Sequence, residues 1–166
     1  MRVYLPATTT VLQRLLDEGQ LDGPLTVFAV TPQLRSHYEL SDDEELEYAA
    51  LLAAARASLR LIDVDPAAAR RRVVLAADVS DAVVIPIEDD AADAGAARVG
   101  VDVPLSVVAS AHVDAAEAED DVRRAVGVVL EADLGSEDAQ FVVDQAEGHE
   151  LGWYATQEIG AVLELL

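Results

Sequence analysis

Cysteine and lysine are both absent from this chain of 166 residues, and aromatic residues make up only 4 % of it. Without cysteine there is no disulfide framework, no thiolate nucleophile and no cysteine-ligated zinc. Without lysine there is no Schiff-base chemistry and no phosphate-binding lysine of a P-loop. So few aromatic rings offer little surface on which bases or sugars stack. No apolar run reaches the roughly 18 residues that a membrane span requires, so no membrane association is expected. The opening MRVYLPATTT carries one arginine but no continuous apolar segment of signal-peptide type, which predicts a cytoplasmic location.

What is abundant is negative charge. Thirty-two acidic residues stand against 11 basic ones, all arginine, for a net charge of −21. A field of that sign repels a phosphate backbone, so nucleic acid is excluded as a partner. The apolar share is 52 %, carried mainly by Ala, Val and Leu, and the length suits a single globular domain over residues 1–166.

Along the chain, RVYL (2–5) reads as a strand. Thr8 or Thr9 caps a helix with Val11, Leu12, Leu15 and Leu16 at helical spacing, and Gly19 stops it. LTVFAV (25–30) is a continuous β-rich run, so the start of the chain predicts a parallel β-α-β unit. Thr31-Pro32 opens a short helical turn through His37 and Tyr38. A long helix over 41–62 follows, with Ser41 and Glu44 as capping box. It has one apolar seam of Leu46, Ala50, Ala53, Ala57 and Leu61, and another of Tyr48, Leu52, Leu59 and Ile62. A helix apolar on two sides is sandwiched between layers or lies at an interface.

Strand signals recur over 70–79, 82–87, 98–103 and 107–113, with Pro86 placing the second at a sheet edge. Between them the acidic stretch 88–97 reads as a mobile loop. Residues 114–130 place Val122, Ala125, Val126 and Val129 on one helix face. Residues 136–148 form a helix from Ser136 to Gly148, 150–155 a strand, and Thr156 opens a terminal helix. This order predicts an α/β or α+β fold with a mixed β-sheet packed by helices.

Three constellations bear on chemistry. HELGWY lacks the second histidine of a zinc helix, because Trp153 stands where it is needed. His149 is then a junction between helix and strand, and Trp153 is expected in the core. In HVD, His112 and Asp114 lie two apart and share a strand face, able to pair or to ligate a metal together. A third member must come from His37, His149 or a distant acid, and the simpler reading has Asp114 cap the next helix. The arginine run Arg70, Arg71 and Arg72 is the one basic cluster, suited to an anion or to neutralising neighbouring acids. G-x-S-x-G, G-x-G-x-x-G and the P-loop motif are all absent, so no metal site and no cofactor are expected.

The stretches MRVYLPAT, DDEELEYAALLAAARASLRL and DAQFVVDQAEGHELGWY resemble a family of short actinobacterial proteins of unknown function. The resemblance covers nearly the whole chain. It implies a bacterial cytoplasmic setting and carries over no functional residue. Two hypotheses follow. The leading one is a non-enzymatic domain that binds or regulates a protein partner, with helix 41–62 as a possible homodimer surface. The alternative is a small hydrolase or transferase built on His112, Asp114 and His149, with or without a divalent metal.

Overall fold

Strand β1 (Arg2–Ala7) leads into helix α1 (Thr9–Glu18), which the Thr8 side chain caps by accepting from the Val11 N–H at 3.2 Å. Gly19 ends the helix at φ 75°, a left-handed conformation that glycine adopts without Cβ strain. The computed structural model describes residues 1–39, 41–89 and 92–166. A short β2 (Gln20–Leu21) then turns the chain into β3 (Leu25–Ala29).

The expected strand–helix–strand order is therefore present, but its parallel sense is not. β1 and β3 pair antiparallel, with Val3 opposite Ala29 and Tyr4 opposite Phe28. A continuous apolar run reports burial on both faces, which helices on both sides of this sheet supply whatever the strand direction.

Helices α2 (Pro32–His37) and α3 (Asp43–Asp63) come next, then β4 (Val73–Asp78), β5 (Val84–Pro86), β6 (Ala96–Val99), β7 (Val103–Pro104) and β8 (Val108–Asp114). The chain closes with α4 (Glu119–Val126), α5 (Val129–Asp133), α6 (Glu137–Glu147), β9 (Leu151–Ala155) and α7 (Ile159–Glu164). Seven strands form one sheet in the order β5-β6-β3-β1-β4-β8-β9, and β2 pairs with β7 apart from it. Every pairing between the described strands is antiparallel, so the fold is α+β and its sheet is not mixed. β5 lies at the edge where Pro86 predicts it. Of the stretch 88–97, Asp90 and Ala91 fall outside the described residues, while Ala96 and Ala97 belong to β6 and are buried.

One face of the sheet packs Val3, Leu5, Val27 and Leu75 against Leu12 and Leu15 of α1 and Ile159 of α7. The other packs Tyr4, Phe28, Val74 and Ala76 against Leu46, Ala50, Ala54 and Ala55 of α3. Farther along α3, Leu59 and Ile62 meet Val122, Val126, Val129 and Val143 of the last helices. The helix is thus sandwiched as its two-sided apolarity predicts, but on different residues. Ala53, Ala57 and Leu61 are only half-buried, and Tyr48 and Leu52 are exposed. Its cap is Asp42, accepting from the Glu45 N–H at 2.9 Å, not Ser41. Ser58 is buried and ties two strands together, donating to the Ala7 carbonyl at 2.6 Å and accepting from the Val73 N–H at 3.0 Å.

Candidate functional site

β8 carries Ser110, His112 and Asp114 at alternate positions, hence on one face of the sheet. Asp114 is 2 % exposed and Arg72, the residue opposite it at the start of β4, is 1 % exposed. The guanidinium grips the carboxylate bidentately, Nε to Oδ2 and Nη2 to Oδ1, both at 2.8 Å. The Arg72 backbone N–H donates to Oδ2 at 2.8 Å as well. Arg72 Nη2 also donates to the His149 carbonyl at 2.9 Å. A planar fork and a carboxylate facing one another across a strand pair make both hydrogen bonds at once. Asp114 thus closes β8 and locks it to β4 and to the entry of β9. It does not cap the following helix, whose first turn has no side-chain cap.

His112 turns elsewhere: its Nε2 lies 3.2 Å from Ser110 Oγ. Burial, with the Arg2 charge adding to it, lowers its pKa below the ordinary imidazole value. Ser110 is only 3 % exposed, so the Ser–His pair does not present its hydroxyl to a substrate. His149 sits at the junction between α6 and β9, with Nε2 2.7 Å from Asp121 Oδ2. The hydrogen bond from His149, then that from Arg124, holds the Asp121 carboxyl below the usual carboxylate range. His37 lies on α2, in edge contact with Tyr38. The three side chains of the enzyme hypothesis therefore bond three different partners, Ser110, Arg72 and Asp121, and none bonds another of the three. Among the described residues no group of three His, Asp or Glu side chains could hold a metal.

The arginine run divides in the same way. Arg70 donates to the carbonyls of Ile62, Asp65 and Ala68, Arg71 pairs with Glu119 at 3.5 Å, and Arg72 is committed to Asp114. No two of them share a partner, so the run does not form one anion cradle.

Above the Arg72 guanidinium a cleft opens between Tyr48, Leu51 and Leu52 of α3 and the His149–Glu150–Leu151 entry to β9. It encloses about 180 Å³, below the roughly 300 Å³ at which pockets for drug-sized ligands begin. Its rim is apolar and wet: Tyr48 is 54 % exposed and Leu52 41 %. Trp153, two residues beyond Leu151 on the same strand face, is 61 % exposed.

That last value corrects the expectation that Trp153 is core. Strand alternation does send Trp153 and Tyr154 to opposite faces, but it is Tyr154 that packs into the core beneath α1 and α7. Helix α3 packs mainly across β1, β3 and β4 and reaches β9 only at its entry, beside Leu151, which leaves Trp153 exposed. A larger hollow of about 670 Å³ beside α3 holds Arg56, Arg60, Asp133 and Gln140. Its arginines are spent on acids: Arg56 and Arg60 both bind Asp133, at 3.2 and 2.7 Å, and Arg56 also reaches Glu147 at 3.1 Å. The Arg60 hydrogen bond depresses the Asp133 pKa, and the Asp133 bond in turn raises that of Arg60.

Sequence reasoning missed the Arg72–Asp114 clamp. Its signal was an arginine opening one apolar strand and an aspartate closing another. It also missed the exposed rim, which depends on how far α3 extends across the sheet. No helix among the described residues is long and apolar enough to cross a membrane. Residues 1–163 match the model of DUF6912, a family of unknown function. No curated protein and no solved structure matches the chain.

Proposed function

We propose, from the premise that this chain belongs to DUF6912, a family of unknown function, that it is a non-enzymatic binding domain that docks a protein partner. The observation that carries this reading is the exposed Tyr48 and Leu52 at the rim of a small cleft, whose far wall at Leu151 continues along β9 to the exposed Trp153. Large apolar side chains grouped at the surface cost solubility unless a partner covers them. Trp and Tyr are also the residue types that anchor interfaces. The polar groups nearby support the same reading, since Asp114 and Arg72 are committed to one another and His149 Nε2 is bonded to Asp121. Leu130, Leu134 and Phe141 are exposed too, but on α5, α6 and the turn between them, and none of them lines that cleft or lies on a strand bordering it.

We read the chain as one domain over 1–166 acting in an actinobacterial cytoplasm without a cofactor. The net charge of −21 supports leaving nucleic acid out. The test places a photo-crosslinking benzophenone amino acid at position 153 and, as control, at Ile85, which is 63 % exposed on the opposite sheet edge. In the native cell one discrete adduct is expected from 153 and none from 85. No adduct from 153, or the same pattern from both positions, overturns the reading.

A further inference from the structure

A sheet has two edges, and each presents backbone N–H and C=O groups that template another strand unless something blocks them. At the β5 edge the Ile87 N–H donates inward to the Ala96 carbonyl. Hydrogen bonding alternates along an antiparallel ladder, so Val84 and Pro86 turn their backbone groups outward. Pro86 has no N–H to offer, and that edge is blocked. At the other end the Asp114 N–H donates to the Arg72 carbonyl on the β4 side. By the same alternation Val113 and Ala111 bond inward to Gly152 and Tyr154, their register partners on β9. Leu151 and Trp153 then direct their N–H and C=O groups out of the sheet. The sequence of β9, LGWYA, contains no charge and no proline. Among the described residues its only strand partner is β8.

We infer that the β9 edge receives an extended, lysine- or arginine-bearing segment of a partner protein as an eighth strand beside Leu151–Ala155. This rests on the binding-domain reading above and adds the mode and the chemistry. Charge selects the occupant. Glu150 and Glu158 are exposed at the two ends of β9, and the nearby arginines are already paired: Arg71 with Glu119, Arg123 with Asp120 and Arg124 with Asp121. A second copy carries the same net charge of −21. A two-fold β9 pairing also sets Glu150 of one copy toward the 156–158 end of the other, so like charges oppose self-association. A cationic strand meets the opposite field. Alternate side chains of that strand lie on the Trp153 face, where a lysine or arginine stacks on the indole.

The experiment uses the full chain and blocked heptapeptides alternating Lys and Val, titrated calorimetrically at about 0.15 M salt, where distant charges are largely screened. The same peptide N-methylated at alternate amides keeps its charge but cannot form the ladder, and is expected to bind at least tenfold more weakly. A Glu–Val peptide is expected not to bind. Trp153→Pro removes the outward N–H at a position where an edge strand tolerates proline, and at least a tenfold loss is expected. If that variant does not fold, Trp153→Lys puts a repelling charge on the edge and predicts the same loss. Ile85→Ala leaves binding unchanged.

Equal binding of the N-methylated peptide overturns the inference, as does undiminished binding by the Trp153 variants or no binding by any peptide. A concentration-dependent dimer abolished by Trp153→Lys identifies a second copy as occupant and overturns it as well. Binding that falls in Tyr48→Ala/Leu52→Ala but not on N-methylation overturns strand addition while leaving the apolar-surface reading in place.

Discussion

β8 and β9 are neighbours in the sheet, yet they bury opposite kinds of residue. β8 hides Ser110 and Asp114 and half-hides His112, while β9 leaves its tryptophan in water. Hydrophobicity alone reverses this assignment. Position decides it: Asp114 finds Arg72 across the ladder and is compensated on every side, whereas Trp153 lies on the edge strand and is left exposed. A buried charge is tolerated when it is paired and hydrogen-bonded, and an exposed ring when the layer above it ends.

The sharpest way to break this contrast is to remove one half of the clamp. Asp114→Ala leaves the Arg72 guanidinium buried beside an unpaired backbone N–H. Breaking such a pair costs about 3–5 kcal/mol, read as a fall in the urea midpoint with an unchanged slope. The double variant Arg72→Met/Asp114→Leu is expected to recover most of that loss, because apolar groups of similar size need no partner. If Asp114→Ala unfolds like the parent, the clamp does not hold β8.

Much of the framework was legible from local signals. Thr8, Thr31 and Ser136 cap the helices they precede, Gly19 and Gly148 follow helix ends, and Pro86 lies at an edge, because each acts within a few residues of its own backbone. The candidate site was not legible, for a matching reason. The Arg72–Asp114 bond spans 42 positions, and the exposure of Trp153 depends on the placement of a helix about a hundred residues earlier in the chain. The run Arg70 to Arg72 looked like one unit only because the chain is contiguous there. In space its members face a helix end, a glutamate and a strand. The seams of α3 were displaced for a related reason: its buried positions must face a sheet on one side and helices on the other, and periodicity alone does not fix which residues turn which way.

A smaller effect is expected where the two strands meet the last helices. His149→Gln shortens the reach to Asp121 and is expected to lower the urea midpoint far less than Asp114→Ala, because the hydrogen bond it loses joins groups that touch solvent. A loss as large as that of Asp114→Ala would place His149 within the clamp itself.

The pH dependence sharpens the contrast further. Because burial lowers the folded pKa of His112, the unfolded chain takes up this proton more readily than the folded one. The stability that follows is complete above the unfolded value of about 6.5 and is lost as pH falls from there toward the folded pKa. The depressed carboxyls of Asp78, Asp121 and Asp133 act only lower, below the ordinary aspartate value of about 3.9. Urea midpoints at pH 7.5, 6.5 and 5.5 should therefore decline in the parent and flatten in His112→Gln. An equal decline in both assigns the effect to other groups.

The smallest effect belongs to the largest side chain. Trp153→Ala is expected to change stability by no more than about 0.5 kcal/mol, as for an exposed substitution that breaks no cap, network or cavity wall. The same ring buried would cost about 3–5 kcal/mol, so the measurement separates the two placements cleanly. The emission maximum of the parent, whose only tryptophan is Trp153, should be red and water-like, and a blue maximum with a large stability loss would return the ring to the core. One consequence reaches past β9. Trp153 and His112 are register partners in a pair that exchanges no backbone hydrogen bonds, the arrangement that brings cross-strand side chains closest. Removing the indole therefore lets water nearer the imidazole, relieves the desolvation that lowers its pKa, and weakens the decline between pH 7.5 and 5.5. Trp153→Ala should thus be nearly silent in stability at pH 7.5 and yet alter its slope with pH. A variant silent in both would show that the ring shields nothing and that its whole role lies outside the folded chain.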